Sequence, residues 1–211
     1  GRIRMYWSAC VKGCGIHGLG DIGFEGCKAK VDGVTEDGVH ISLGGKISSE
    51  GVEGYSVIKS APLRYAKYYV ESLMIEYKKL RRKDETFERF HDRVLSQYTS
   101  YFLGFIMQLQ AYLKAKNINI ELHLDKKVLS GKNEEFEIFE LGRKLYYQLT
   151  KQEAYSAYDR FSNENKREKL ENISKVIPDI DKNLAAVIER MLSSEQKRAV
   201  VFSELTPLIP L

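Results

Sequence analysis

Apolar and polar positions alternate at short period through the first sixty residues and then shift to a helical spacing. Ile3-Arg4-Met5-Tyr6-Trp7 alternates and predicts a strand that runs into a tight turn at residues 10–15. Ile22–Val31 and residues 39–43 predict further strands, divided by turns at Asp32-Gly33 and Asp37-Gly38. From Ser60 the period lengthens. Pro62 suits a first helical turn, and Ala66, Tyr69, Val70, Leu73, Met74, Tyr77 and Leu80 recur on one helical face. The basic residues within 78–83 would close that helix favourably against its dipole. A single longer helix is expected next, with Phe87, Phe90, Val94, Tyr98, Phe102, Phe105, Leu109 and Leu113 as its apolar stripe. So continuous a stripe is a packing face rather than a cofactor contact.

Residues 118–124 alternate again and predict a strand. Beyond the Ser130-Gly131 turn the pattern is helical and rich in charge, with helices expected near 134–150, 151–162, 165–176 and 180–193. Pro178 marks the start of the last, which Asp179 or Asp181 would cap. The apolar, proline-broken end at residues 207–211 is expected to tuck against the body or fray. The fold class implied is α+β: a glycine-rich N-terminal sheet with helices packed on it, spanning 1–116, then a mainly helical region over 117–211.

Composition narrows the function without defining it. The 211 residues are 43% apolar and 29% charged, with a net charge of +4. That balance falls short of the concentrated charge of a nucleic-acid binder. No stretch approaches the roughly 18 apolar residues of a membrane span, and no secretory leader is visible. The chain begins directly in a strand-like alternation, so a preceding segment is expected. All three cysteines, Cys10, Cys14 and Cys27, fall within the first 27 residues. Their odd number and spacing do not make a disulfide framework, and a reducing, cytoplasmic location fits better. Eleven of the sixteen glycines lie in the first 45 residues, as close backbone approach or repeated tight turns require.

Cys10-Val11-Lys12-Gly13-Cys14 places two soft ligands on a strand-to-turn junction, suited to an iron–sulfur cluster or to zinc. Zinc would need a second ligand pair, and His17, Cys27 and His40 stand at no recognisable spacing. A redox disulfide would want a C-x2-C in a thioredoxin-like setting, which is absent. Two thiolates satisfy neither zinc nor a cubane cluster, so the pair reads as half a site.

Trp7-Ser8-Ala9-Cys10-x-x-x-Cys14-Gly15, then Gly20-Asp21-Ile22-Gly23-Phe24-x-Gly26-Cys27 and Gly44-Gly45, resembles the second cysteine motif of the sirohaem nitrite and sulfite reductases. The likeness is greatest to the ferredoxin-type nitrite reductases. It is specific over residues 2–45 and continues loosely to about residue 116. The resemblance implies a [4Fe–4S] cluster with Cys10 and Cys14 as metal ligands, the Cys14 sulfur being shared with the iron of a sirohaem. It places Gly13 and Gly15 against that cofactor. It implies nitrite as substrate, with sulfite the alternative, reduced by six electrons from a ferredoxin-like donor.

Two departures stand out. Val11-Lys12 replaces the family's Pro-Asn, so Lys12 would either pair with a sirohaem carboxylate or alter the haem contact. The family's first cysteine pair and its cationic substrate clamp have no counterpart in these 211 residues. No catalytic residue is therefore assignable, and the chain by itself is expected to be inactive on nitrite. A non-catalytic interaction module, or half of a zinc site completed by another chain, are the other readings.

Cys27 is expected as a buried strand cysteine, His17 as a supporting or surface residue, and Asp21 as a turn or hydrogen-bonding residue. His40, His91 and His123 need no functional role. The basic residues of 78–83 read as a solvated helix end that would also suit an acidic electron donor.

Overall fold

The computed structural model describes residues 2–31, 33–120, 122–124, 134–154, 172–193, 199 and 201–209. The fold is α+β, with two compact units, Gly1–Leu124 and Asp125–Pro210. In the first, strands β1 (Met5–Ser8), β2 (Ile22–Val31), β3 (Val34–Leu43) and β4 (Tyr55–Pro62) form one sheet in the order β1-β2-β3-β4. β1 runs parallel to β2, Met5 opposite Ile22 and Ser8 opposite Glu25. Parallel neighbours cannot be joined by a tight hairpin, so residues 9–21 form the connection that carries the chain back. β2 and β3 are antiparallel in unbroken register from Ile22 opposite Leu43 to Val31 opposite Val34. β3 and β4 are antiparallel, with register shifts between Val39 and Ser42.

The expected strands recur, with three corrections. β3 starts at Val34 rather than at residue 39, and Asp37-Gly38 is not a turn but lies within it. Gly38 pairs with Cys27 and leaves room for Ala29, whose Cβ is 2.8 Å from where a Gly38 side chain would begin. The opposed Lys28 and Asp37 form an exposed ion pair. β4 was not expected at all: Tyr55-Ser56-Val57-Ile58 alternates over too few residues to stand out. Pro62, expected to open a helix, ends β4 instead; at an edge strand its missing N–H is tolerated.

Helices α1 (Ala66–Leu80), α2 (Phe87–Arg93) and α3 (Ser100–Ala115) complete the unit. The long second helix of the sequence reading is two helices. Thr86 caps α2 and Thr99 caps α3, each through its hydroxyl, and a short 3-10 turn at Leu95–Gln97 separates them. A capping threonine satisfies backbone donors that a continuous helix would not leave open. The stripe nonetheless packs as expected, for all eight of its residues from Phe87 to Leu113 are buried. Tyr77 meets Phe87 and Phe90 edge-on at 5.3 and 5.1 Å between ring centroids, a favoured aromatic geometry.

Residues 118–120 and 122–124 form no strand. Their alternation is spent differently. Leu122 and Leu124 are buried, while the buried Glu76 of α1 accepts hydrogen bonds from the Leu124 N–H at 3.2 Å and from the Gln110 amide. His123 Nδ1 lies 3.1 Å from the same carboxylate. Side chains, not a neighbouring strand, satisfy this segment.

Asp21 has the hydrogen-bonding role expected of it. Buried at the head of β2, it accepts from the Arg4 backbone N–H at 2.7 Å and from the Arg4 guanidinium at 2.6 Å. The same guanidinium reaches Glu88 on α2 at 2.6 Å, so one arginine ties β1, β2 and α2 together.

Another buried carboxylate, Glu85, receives two bonds from Arg93, both at 2.6 Å. These bonds hold its acid down to about 2, against an ordinary value of 4.5 and against the opposing effect of burial. The folded value lies below the unfolded one, so this contribution is complete above about 4.5 and is lost as pH falls towards 2. Glu85→Gln should lower stability by about 2 kcal/mol at neutral pH. It should also flatten the fall in stability between these limits. Urea unfolding at pH 7 and pH 3 measures both, and an unchanged difference between the two pH values would contradict this assignment.

The second unit holds α4 (Glu134–Thr150), α5 (Ile173–Val176) and α6 (Lys182–Leu192). α4 matches its expected bounds. Asp181, not Asp179, caps α6, accepting from the N–H groups of Asn183 and Leu184 at 3.0 Å. Residues 151–154 are not helical, and residues 155–162 and 165–171 of the expected helices lie outside the described residues. α4 and α6 pack through Ile138, Leu145, Val187, Ile188 and Met191, each at most 1% exposed. Near the C-terminus Ile209 is buried at 2% exposure, as expected of an apolar end that tucks in. No helix among the described residues is long and apolar enough to cross a membrane.

Candidate metal and cofactor site

Cys10 and Cys14 sit on the connection between β1 and β2, where the backbone makes two turns in succession. The Gly13 N–H donates to the Cys10 carbonyl at 3.2 Å, closing a turn over residues 10–13. The Ile16 N–H donates to the Gly13 carbonyl at 2.7 Å, closing a second over 13–16. Gly13 belongs to both turns and has φ +69°, a value that favours glycine. Ile16 has φ +50°. For a residue branched at Cβ that is a strained position, costing on the order of 1 kcal/mol.

Gly15 anchors the loop to the sheet. Its N–H donates to Oγ of the buried Ser8 at 3.0 Å. A Cβ on Gly15 would stand 1.7 Å from the Trp7 carbonyl oxygen, so the loop lies directly on β1. Held in this way, Cys10 and Cys14 are both exposed free thiols. Four large apolar side chains within residues 5–16 are exposed as well: Met5, Trp7, Val11 and Ile16, the most open being Val11 at 80%.

Two hollows flank the loop. A cleft of about 740 Å³ lies against the polar face of the sheet, lined by Lys12, His17, Glu25, His40, Ser42 and Lys59 among others. Neither Cys10 nor Cys14 lines it; the residues between them do. A separate groove of about 440 Å³ is lined by Trp7, Cys27 and Leu63 among others. Trp7 there stacks on Phe24 at 4.6 Å and 19°. Cys27, expected to be buried, is half-buried and borders that groove. It pairs with Gly38, which has no side chain to cover it.

The structure thus brings Cys10, Lys12, Gly13, Cys14 and Gly15 onto one short loop and keeps Cys27 apart from it. His17 supports the loop's far end, with Nε2 3.3 Å from Glu25. His40 Nδ1 accepts from the Ser60 N–H at 3.0 Å. His91 is buried between the Tyr55 hydroxyl, 3.0 Å from Nε2, and Asp92. Burial pushes the Tyr55 phenol up to about 12. The basic residues Lys78, Lys79, Arg81, Arg82 and Lys83 are exposed at the end of α1. Lys59 does not stand out in the sequence because β4 does not; the strand at residues 55–62 places it beside His40.

The donor set can be tested against the groups the motif implies. Two exposed thiols in a glycine-held turn suit iron–sulfur ligation, and a donor-rich cleft next to them suits an acidic cofactor. The thiols cover half of a four-thiolate set. Among the described residues no group of three or more His, Cys, Asp or Glu side chains is placed to hold a metal ion.

No family model matches the chain. Over about a third of its length, however, it is related to ferredoxin–nitrite reductases. It is 33% identical over 75 residues to one from Leptolyngbya laminosa, covering 36% of this chain and 15% of that protein. It is 32% identical over 76 residues to a chloroplastic one from Betula pendula, covering 36% of this chain and 13% of that protein. A chloroplastic one from Spinacia oleracea matches at 31% over 74 residues. The chain thus spans 15% or less of each of these relatives.

Proposed function

We propose that the loop carrying Cys10 and Cys14 supplies two of the four thiolates of a [4Fe–4S] cluster in a sirohaem-dependent nitrite reductase. The observation that carries this reading is the loop itself: two free thiols exposed on consecutive turns and pinned to β1. The similarity to ferredoxin–nitrite reductases supports the choice of chemistry. Cys10 and Cys14 would each hold the cluster, and Cys14 would also serve the sirohaem. When bound, such groups would supply one-electron chemistry to an anion, and the overall change would be nitrite, six electrons and eight protons to ammonium and two waters.

The chain's own residues bind and orient. Gly13 and Gly15 let the backbone come close to the metal group, and Lys12 stands next to Cys14 as a cation for an acidic substituent. The basic end of α1 offers an acidic electron carrier such as ferredoxin a complementary surface. Sulfite is the alternative substrate to nitrite, because its reduction also takes six electrons. A reducing, cytoplasmic compartment, where free thiols persist, suits this reading.

The test is the visible spectrum and metal content of an anaerobically purified polypeptide that carries this chain together with a second cysteine pair. A Soret band, a red-region band, iron and acid-labile sulfide are expected. A colourless product without iron, or a colourless product with zinc, would sink the reading. The 211 residues alone should form no ammonia from nitrite, because they provide only half of the ligands.

A further inference from the structure

The two thiols of the loop between β1 and β2 belong to neither hollow of their own chain. Cys10 and Cys14 are exposed, and they line neither the cleft nor the groove. Among the described residues no group of three or more His, Cys, Asp or Glu side chains could hold a metal ion. The 211 residues contain one further cysteine, Cys27, which lies on β2 and borders the groove with Trp7. One copy of the chain therefore cannot close a set of four thiolates. Two copies can, because a two-fold axis turns two thiols into four, and a cubane cluster accommodates such an axis.

The surroundings of the thiols suit a second copy. Val11, between the two cysteines, is 80% exposed, and Ile16, Met5 and Trp7 are also largely open. Apolar side chains gathered about one loop mark an interaction surface. β1 is an edge strand, so no further strand of the sheet stands beyond it. The two turns and the bond from Gly15 to Ser8 already fix the backbone of the loop, so association needs little further ordering. Charge decides when the pair forms. Lys12 is exposed and is the one charged residue among residues 5–16. A [4Fe–4S]2+ core with four thiolates keeps two negative charges, which two Lys12 ammonium groups balance. Without the metal the same two cations repel.

We infer that two copies of this chain join across a two-fold axis over one [4Fe–4S] cluster, each copy supplying Cys10 and Cys14. The chain without metal is a monomer, and the cluster holds the pair together. The inference rests on the reading of both cysteines as cluster ligands and names the partner that completes their set. Such a pair carries a cluster and still lacks a cationic substrate clamp, so it forms no ammonia from nitrite.

The probe is a preformed [4Fe–4S]2+ cluster capped by four 2-mercaptoethanol thiolates, added without oxygen to the 211-residue chain. Each cysteine passes its Sγ proton to a departing thiolate as one iron–sulfur bond forms and another breaks, so no oxidant or reductant is needed. Sedimentation should show the 24.2 kDa chain doubling in mass, with about two irons and two sulfides per chain. Cys10→Ser and Cys14→Ser should each stay monomeric and free of iron, whereas Cys27→Ser should behave as wild type. Lys12→Glu should weaken the pair about tenfold at low salt, and Lys12→Arg should restore it. Both cysteines and Lys12 are exposed, so these variants should keep the wild-type circular dichroism. A monomer that carries iron, a pair that forms without the cluster, or a folded chain that takes up none would overturn the inference. Where this chain takes up none but a polypeptide with a second cysteine pair takes up the cluster as a monomer, only the pairing falls. Uptake by neither sinks the metal reading as well.

Discussion

Gly15→Ala should unfold the cysteine loop from the sheet and lower the stability of the first unit by about 3 kcal/mol. The new Cβ would stand 1.7 Å from the Trp7 carbonyl oxygen and 2.7 Å from its carbon. Both are backbone atoms of β1, so no rotamer change relieves the clash. The bond from the Gly15 N–H to Ser8 Oγ would break as the loop lifts, leaving a buried hydroxyl without its partner. Gly13→Ala is the control. There the nearest atoms are 3.9 Å away and the difficulty is the φ of +69° alone, costing on the order of 1 kcal/mol. Thermal unfolding of the two variants should therefore separate them by several degrees. A Gly15→Ala protein that melts with wild type would show that the loop does not lie on β1.

Cys14→Ser carries the largest functional effect. In a polypeptide that also holds a second cysteine pair, it should abolish both the iron–sulfur content and the Soret band, since the Cys14 sulfur is proposed to serve both metals. Cys10→Ser should abolish the cluster. Cys27→Ser should retain both, because Cys27 lies on β2, outside the loop, and borders the groove with Trp7 and Leu63. Iron and sulfide per chain after anaerobic purification measure all three. Full iron in Cys14→Ser, or its loss in Cys27→Ser, would reassign the ligands.

Much of this was legible in the residues. Period-two alternation found β2 where its apolar residues are buried, Ile22 and Phe24 being at most 4% exposed, and it found β1 although the alternating Met5 and Trp7 are exposed. The aromatic stripe from Phe87 to Leu113 was read correctly as core, yet its break at Thr99 was not, because a capping hydroxyl alters the backbone without altering the apolar spacing. β4 escaped because one short alternation followed by Lys59 and Ser60 resembles a loop. The strand at residues 118–124 was over-read. Alternation reports which side chains are buried, and here Leu122 and Leu124 are buried by packing while Glu76 takes the backbone donor. At the site, the cysteine spacing was visible but its support was not. Ser8, Glu25, His40 and Lys59 approach the loop and cleft only through sheet register.

The parallel pairing of β1 with β2 has a consequence for how this segment can evolve. A connection between parallel strands needs about a dozen residues, and residues 9–21 supply that minimum. The same stretch carries both thiols, so the loop that would hold metal is also the span that closes the sheet. Deleting a few of its residues would cost β1 its place before any ligand was lost. A lineage that abandoned the metal would keep the loop at full length and lose only its cysteines. Ligand identity can drift here, whereas loop length cannot.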